Sequence, residues 1–503
     1  MALFNRTKGT SSQSDLPDFH PGLPLRDWGG GLGFRIADAL TGGVVFGATG
    51  SGKTSGPAKH LALGYLAADF GGLVLCAKKE ERLQWVEWAR LAGRSDDLVI
   101  FEPGGSWTFN FLDWEATRVG SGGGLTMNIV ALLDEIASAL GGGAGTAEGG
   151  GDNKFFEDAL HHMNMNLVDL PTFAGMPVTL PLLRSIVVSA PQTLKDIDDS
   201  RWRESSVCAA ILREADAKTL DAGDDVRADF EECSNYWLQE FPALSDKTRG
   251  IIVLSFSMLV RPLITRPLRQ LFGLATTTIT PEACFDGKII IVDLPVQEFR
   301  LAGRLANLAW KYCFQVAVMR RTPPTTPDTY LRPVLLWADE AQNFVSKFDA
   351  EYQAVARSAG GCTVYLTQNR ESLRRVLGND DAVDSLLGNL QAKFFCQNGS
   401  TGTNGWASSL LGERWVEITS RSGGASGVGT GNTDGRVNAT AGFSTSHQKR
   451  NFVESAEFAM LRRGGEHNDF LVDCFVYNGG ERYRSPDDRE EVPYKFLTFN
   501  QRG

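Results

Sequence analysis

A chain of 503 residues is longer than one hydrophobic core usually organises, which points to one large elaborated domain or to two or three smaller ones. Its 42% hydrophobic and 22% charged content is that of an ordinary soluble globular protein, and a net charge of -10 argues against a surface that grips nucleic acid all over, while leaving room for a basic patch or a charged pore. The eight cysteines include no CxxC pair, so neither a zinc site nor a disulfide framework is indicated, and a reducing cytosol fits.

Residues 1–40 read as a tail and lead-in, polar from Met1 to Pro24 and without an apolar signal-like segment. Next comes a short apolar run, Val44-Val45-Phe46, that empties into Gly47-Ala48-Thr49-Gly50-Ser51-Gly52-Lys53-Thr54. This is the GxxxxGK[ST] pattern. A polyphosphate needs several backbone N–H donors converging on it without side chains in the way, which the glycines permit. Lys53 then reaches the β- and γ-phosphates, the Thr54 hydroxyl ligates Mg²⁺, and a helix expected over Ser55 to Leu66 adds its positive N-terminal end.

Further strands are expected at Gly71–Cys76 and Leu98–Phe101, with a helix at Glu80–Leu91 carrying Trp85 and Trp88 between them. That alternation calls for an α/β fold with a mostly parallel central sheet and helices on both faces. From residue 126 to 244 the pattern is helical, interrupted by a Gly-rich linker at 141–151, and reads as an inserted all-α domain. Residues 41–125 and 245–503 then form the nucleotide-binding domain around it. The longest apolar run, Gly250 to Ile264, is broken by Ser255, Ser257 and Arg261 and cannot span a bilayer.

The α/β pattern resumes with strands at Lys288–Leu294 and Val334–Trp337, the second ending in Ala338-Asp339-Glu340. An apolar run closed by two carboxylates also arises as a plain strand exit, but paired with the phosphate loop it supplies the other half of an NTPase. Adjacent residues at a strand end point apart, so Asp339 is assigned to the Mg²⁺ shell and Glu340 to the attacking water. Gln368 closes the next strand, Cys362–Leu366, on the edge where ligands collect in parallel sheets, and could sense the γ-phosphate or simply cap the strand. Arg357, 17 residues past Glu340, could serve a neighbouring subunit as an arginine finger in a ring, or be an ordinary solvated arginine, with Arg249 and Arg300 as competitors. The segment Arg421 to Asn438 is Gly/Ser/Thr/Asn-rich and reads as disordered or as a long hairpin tip, and the expected order ends with a helix near Ser455–Arg462 and a strand at Asp469–Tyr477.

The motif set resembles the coupling-protein ATPases of type IV secretion and conjugation, the TraG/TraD kind within the hexameric DNA-pump superfamily. The likeness is carried by VVFGATGSGKT, AKKEERLQWVEWARLAGRSDDLVIFEP, WTFNFLD, DNKFFEDALHHMNMNLV, DGKIIIVDLP, LLWADEAQNF, ARSAGGCTVYLTQNRESLRRVLG and LLGNLQAKFFCQN, from about Thr41 to Tyr483. It implies a RecA-like P-loop domain with the all-α insertion, ATP as the nucleotide, and hexamerisation. It also implies DNA, relaxase or effector protein as cargo for a type IV secretion channel at the inner face of the cytoplasmic membrane. The chain departs from the family in three places. A DxKGE-like strand end reads Cys76-Ala77-Lys78-Lys79-Glu80, and the fNPld-like turn reads Phe109-Asn110-Phe111-Leu112-Asp113 without the proline. The 46 residues ahead of Gly47 hold no pair of transmembrane helices such as many relatives carry, so membrane attachment is expected through partners or through a missing anchor. Two other functions suit the same residues: a soluble DNA translocase in partition or defence, and an ATP-switched cargo-recruiting scaffold that does not pump.

Overall fold

The computed structural model describes residues 16–28, 33–141, 152–425, 439–484 and 491–502. Its strands in chain order are β1 (Pro24–Asp27), β2 (Gly33–Arg35), β3 (Gly43–Phe46), β4 (Gly71–Leu75), β5 (Leu98–Phe101), β6 (Ile289–Val292), β7 (Val334–Ala338) and β8 (Gly361–Thr367). They continue with β9 (Ala392–Phe395), β10 (Glu413–Ala425), β11 (Ala439–Asn451), β12 (Leu471–Asn478), β13 (Tyr483–Arg484), β14 (Glu491–Val492) and β15 (Lys495–Asn500). The chain divides into two compact units. The first comprises the residues to Val44, Ala58–Thr367 and Ser372–Gln391; the second comprises Val45–Pro57, Gln368–Glu371 and the residues from Ala392.

In the first unit β8, β7, β4, β6 and β5 lie side by side in that order, every pair parallel. IIIV, VLLWA and GCTVYLT are buried at every position, as strands covered on both faces must be. Part of the cover is the helix Glu80–Leu91, whose Trp85 and Trp88 meet Trp337 of β7 edge to face at ring-centre distances of 5.3 and 6.2 Å. In register, Leu75 pairs with both Ala338 and Val292, Val292 with Phe101, and Ala338 with Tyr365. All five strands therefore end along one edge, where open α/β sheets bind their ligands.

Between β5 and β6 the elements are all helical, and they group with this sheet in the same unit. Helix starts are capped as their sequences dictate: Thr179, Ser206 and Ser245 each accept from the backbone N–H three residues on. The helical run continues past residue 244 with Asp246–Ile264, because Ile252, Phe256, Leu259, Val260 and Leu263 fall on one buried face. Residues 142–151, nearly all of the Gly-rich linker, lie outside the described residues. Among those described, no helix is long and apolar enough to cross a membrane.

The second unit pairs β9 with β12 and β12 with β15, both antiparallel, around Phe46, Phe395, Trp406, Phe458 and Phe475. It also holds the β10–β11 ribbon, two thirteen-residue strands in continuous antiparallel register. Of the expected loop Arg421–Asn438, residues 421–425 are therefore strand, and 426–438 lie outside the described residues. All eight cysteines are buried and unpaired, six in the first unit and Cys396 and Cys474 in the second.

Candidate nucleotide-binding site

The phosphate loop belongs to the second unit. The chain leaves β3 at Gly47 and folds on itself, with the Ala48 N–H donated to the Gln397 carbonyl at 2.9 Å and the Ser51 N–H to the Ala48 carbonyl at 3.1 Å. These two amides are spent on shaping the loop. Gly50 (φ +73°) and Gly52 (φ +80°) are left-handed, a conformation costly for any other residue. A Cβ at Gly50 would meet nothing within 4 Å, so backbone angle alone demands glycine there; at Gly52 it would also strike Val472 of β12. Ala48 is half-buried and Thr49 exposed, Gly47 and Lys53 are buried, and the buried Ser51 hydroxyl has no hydrogen-bond partner among the described residues. A glycine-shaped loop with a buried ammonium and an unmatched buried hydroxyl fits a polyphosphate.

The helix expected over Ser55–Leu66 is not continuous. A π-helical turn spans Thr54–Ala58, broken at Gly56 (φ −99°, ψ −107°), and the regular helix runs Lys59–Ala67. Pro57 has no N–H to donate to the turn before it, and the Gly56 N–H bonds to the Gly52 carbonyl at 2.7 Å. The regular helix therefore begins five residues after Thr54, later than the sequence suggested.

The carboxylates stand on the first unit's strand-end edge, just past β7. Asp339 and Glu340 are both buried. Glu340 is itself left-handed (φ 53°, ψ 50°), and its N–H is held by Asp339 Oδ1 at 2.8 Å. Glu340 Oε1 accepts from Lys78 Nζ at 2.6 Å and Oε2 from Gln342 Nε2 at 2.7 Å. Gln342 Oε1 accepts in turn from Thr367 Oγ1 at 3.0 Å. Burial works against the charge of Lys78, but the Glu340 hydrogen bond and the Asp339, Glu340 and Glu81 charges outweigh it and hold the ammonium above the usual lysine range. Next to it, burial and then the Asp339 charge push the Glu81 carboxyl well up, although it accepts the Ala77 N–H at 2.7 Å. At the same edge Arg82 bridges Glu102 at 2.5 Å and Asp293 at 2.7 Å.

Lys78, Glu81, Arg82 and Gln342 were not singled out from sequence. The signal for the first three was the departure at Cys76–Glu80: where a DxKGE pattern has its acid, the nearest buried carboxylate here is Glu81, in the first turn of the next helix.

Gln368 directly follows β8, and its carbonyl accepts from Asn398 Nδ2 at 2.7 Å. Arg357 is exposed in the single 3₁₀ turn after the helix Phe348–Ala356. Its competitors differ. Arg249 is buried and tied to Asp246, Gln192 and the Leu244 carbonyl, whereas Arg300 is exposed at a left-handed kink in the helix Val296–Met319. Among the described residues no group of three or more His, Cys, Asp or Glu forms a metal cage. A Mg²⁺ that arrives with phosphates needs only one or two protein ligands, so the lack of such a cage does not count against one.

Residues 333–463 match the family model described as the TraM recognition site of TraD and TraG. No curated protein matches. Among solved structures, the unbound bacterial conjugative coupling protein TrwB superposes with a TM-score of 0.57 at 15% identity, over 94% of this chain and 87% of that one. The plasmid coupling protein TrwB in complex with ADP and Mg²⁺ gives 0.55 at 16% identity over 94% and 90%. The same protein with a non-hydrolysable ATP analogue gives 0.54 at 15% over 96% and 90%. At such identities the likeness is one of fold, which is the expected α/β P-loop architecture with a helical insert. The expected kinship with the TraG/TraD kind is borne out: residues 333–463 carry that family's domain, and nearly the whole chain carries the coupling-protein fold.

Proposed function

We propose that the chain is an ATP-hydrolysing coupling protein that recruits or translocates DNA, or a protein cargo, to a type IV secretion channel. The observation that carries the reading is the loop Gly47–Thr54, where two left-handed glycines, buried Lys53 and the unmatched Ser51 hydroxyl suit a polyphosphate. The solved relatives named as bound to ADP and Mg²⁺ and to an ATP analogue support it.

In this reading the amides of Thr49, Gly50 and Gly52 cradle the phosphates and Lys53 binds the terminal ones, while Gly47 and Ala48 fix the loop's entry. The Thr54 hydroxyl and Asp339 would hold Mg²⁺, which when bound would supply charge neutralisation at the phosphate oxygens. Glu340 takes the proton of the attacking water, Gln368 senses the terminal phosphate, and Arg357 serves a neighbouring subunit of a homo-oligomer, a hexamer by resemblance. The all-α residues 126–244 supply the cargo surface, since helical surfaces can vary while the nucleotide chemistry stays fixed. Attachment to the inner face of the membrane comes through secretion partners or an anchor.

The test is steady-state ATPase rate against protein concentration, with and without single- and double-stranded DNA, using Glu340→Gln as the blank. A rate that climbs steeply with both, and vanishes in the blank, is expected. A slow, flat rate indifferent to DNA overturns pumping in favour of the ATP-switched scaffold.

A further inference from the structure

The β10–β11 ribbon sorts its charges by face. Side chains alternate along each strand and directly paired residues share a face, so the register from Glu413↔Asn451 to Ser420↔Ser444 divides this stretch in two. One face carries both acids, Glu413 and Glu417, together with Lys449, whose Nζ lies 3.5 Å from Glu413 Oε2 and 5.7 Å over the centre of the Trp415 ring. The other face carries Arg414 opposite Arg450, then Gln448, Ser446, Ser420 and Ser444, and over that stretch it holds no acid. These six side chains are all exposed. In a chain whose 60 acidic residues outnumber its 50 basic ones, an acid-free strip of guanidinium, carboxamide and hydroxyl groups is complementary to an anion.

We propose that the β10–β11 ribbon is a DNA-binding element that lays its Arg414/Arg450 face on the phosphates of a duplex. Two arginines opposite one another repel, and a phosphate between them offsets that repulsion while accepting from both guanidinium forks. From Arg414 to Ser420 the strand then advances roughly 20 Å, which exceeds one phosphate and matches several along a nucleic-acid strand. Hydroxyl and carboxamide groups are ordinary donors to such phosphates, and a two-stranded ribbon is an element the major groove of duplex DNA admits. An anionic membrane fits less well. The apolar members of this face, Val416 and Ile418, are half-buried, and the exposed Trp415 that would anchor the ribbon at a lipid interface stands on the face that carries the acids. The inference deepens the proposed function and rests on it for one point, that DNA is among the molecules this chain meets.

The experiment measures binding of a fluorescein-labelled DNA duplex to the full chain by anisotropy, between about 50 and 200 mM salt. Arg414→Gln/Arg450→Gln is expected to weaken binding at least about tenfold at the low-salt end and to reduce the slope of log affinity against log salt by about two, one for each lost phosphate contact. Arg414→Lys/Arg450→Lys keeps both charges, so it should keep the slope and lose only a few-fold in affinity with the bidentate geometry. If the glutamine pair does not fold, Arg450→Gln alone makes the same test with a slope change of about one. Duplex affinity and slope unchanged in a folded glutamine variant, or no duplex binding by the parent, overturns the proposal. Loss of binding to phosphatidylglycerol vesicles with duplex binding untouched overturns it in favour of a membrane surface. The ATPase assay keeps this inference apart from the reading it deepens: ribbon-dependent duplex binding in a protein whose turnover ignores DNA overturns pumping and leaves the ribbon standing. DNA-stimulated turnover with duplex binding indifferent to Arg414 and Arg450 overturns the ribbon and leaves the motor.

Discussion

Lys311 Nζ lies 2.6 Å from Asp349 Oδ2, with both side chains sealed from water. The same carboxylate accepts from Gln315 Nε2 at 2.7 Å, the Tyr365 hydroxyl at 2.6 Å and the Ser346 N–H at 2.6 Å. Four donors on one buried acid tie the helix Val296–Met319, strand β8 and the loop after Glu340 to a single point. Removing one partner strands the other charge. Lys311→Met should therefore cost about 3–5 kcal/mol, read as a lower denaturant midpoint. Replacing Lys311 and Asp349 together with apolar residues should cost less than the single change, because no charge is left unmatched.

Gly52 is constrained twice, by its positive φ and by Val472. Gly52→Ala is expected to weaken nucleotide binding at least tenfold while the rest of the second unit stays folded, since the left-handed angle alone costs about 1–2 kcal/mol for a residue with a Cβ. Adding Val472→Ala opens space but leaves the angle, so binding, followed by titration of a fluorescent ATP analogue, should not recover fully.

Lys393 gives the pH prediction. Burial in β9 pulls its ammonium from 10.5 down to about 8. A folded value below the unfolded one means stability is fully present above 10.5, declines as pH falls toward 8, and is at its lowest below that. The difference amounts to about 3 kcal/mol at most. Lys393→Met should melt higher than the parent at pH 7, and the gap should close between pH 8 and 10.5. A gap that stays constant with pH would show that burial in the fold does not lower the lysine's value.

The two arginines Arg249 and Arg357 should fail differently. Arg249→Ala removes a buried, three-partner guanidinium and should lower stability by about 1–3 kcal/mol, moving the melting temperature. Arg357→Ala alters an exposed side chain, and should leave melting unchanged while lowering ATPase rate only where subunits assemble. An equal loss in dilute, monomeric protein would count against a role in trans.

Lys53→Ala should abolish hydrolysis, a loss of at least about a hundredfold, and weaken nucleotide binding. The rate assay and the fluorescent titration together separate the two effects.

The parallel strands were legible because each is a short uninterrupted apolar run closed by a polar strand end, the pattern a doubly covered strand must have. The break at Gly56 was legible too, since Pro57 stands where a regular helix could not keep its hydrogen bonds, but the phosphate-loop pattern invited an uninterrupted helix. In β10 the alternation Trp415-Val416-Glu417-Ile418-Thr419 is a strand signal, masked by the glycine-rich residues that follow. β15 went unread although Leu497 and Phe499 alternate with exposed neighbours. The Lys78–Glu340 pair was beyond reach: 262 positions separate the two residues, and no local period reports a contact made by sheet order.

Eight buried, unpaired thiols have a practical meaning. A thiol-directed reagent finds no ready target in the native protein, and burial raises several of the groups further out of reach, Cys208 to about 12. Labelling can then proceed only when the chain opens. Cys396 and Cys474 report the unit that carries the phosphate loop, and the other six report the unit that carries Asp339 and Glu340. Mass mapping of the labelled peptides would time the loosening of each unit separately, without a single added probe.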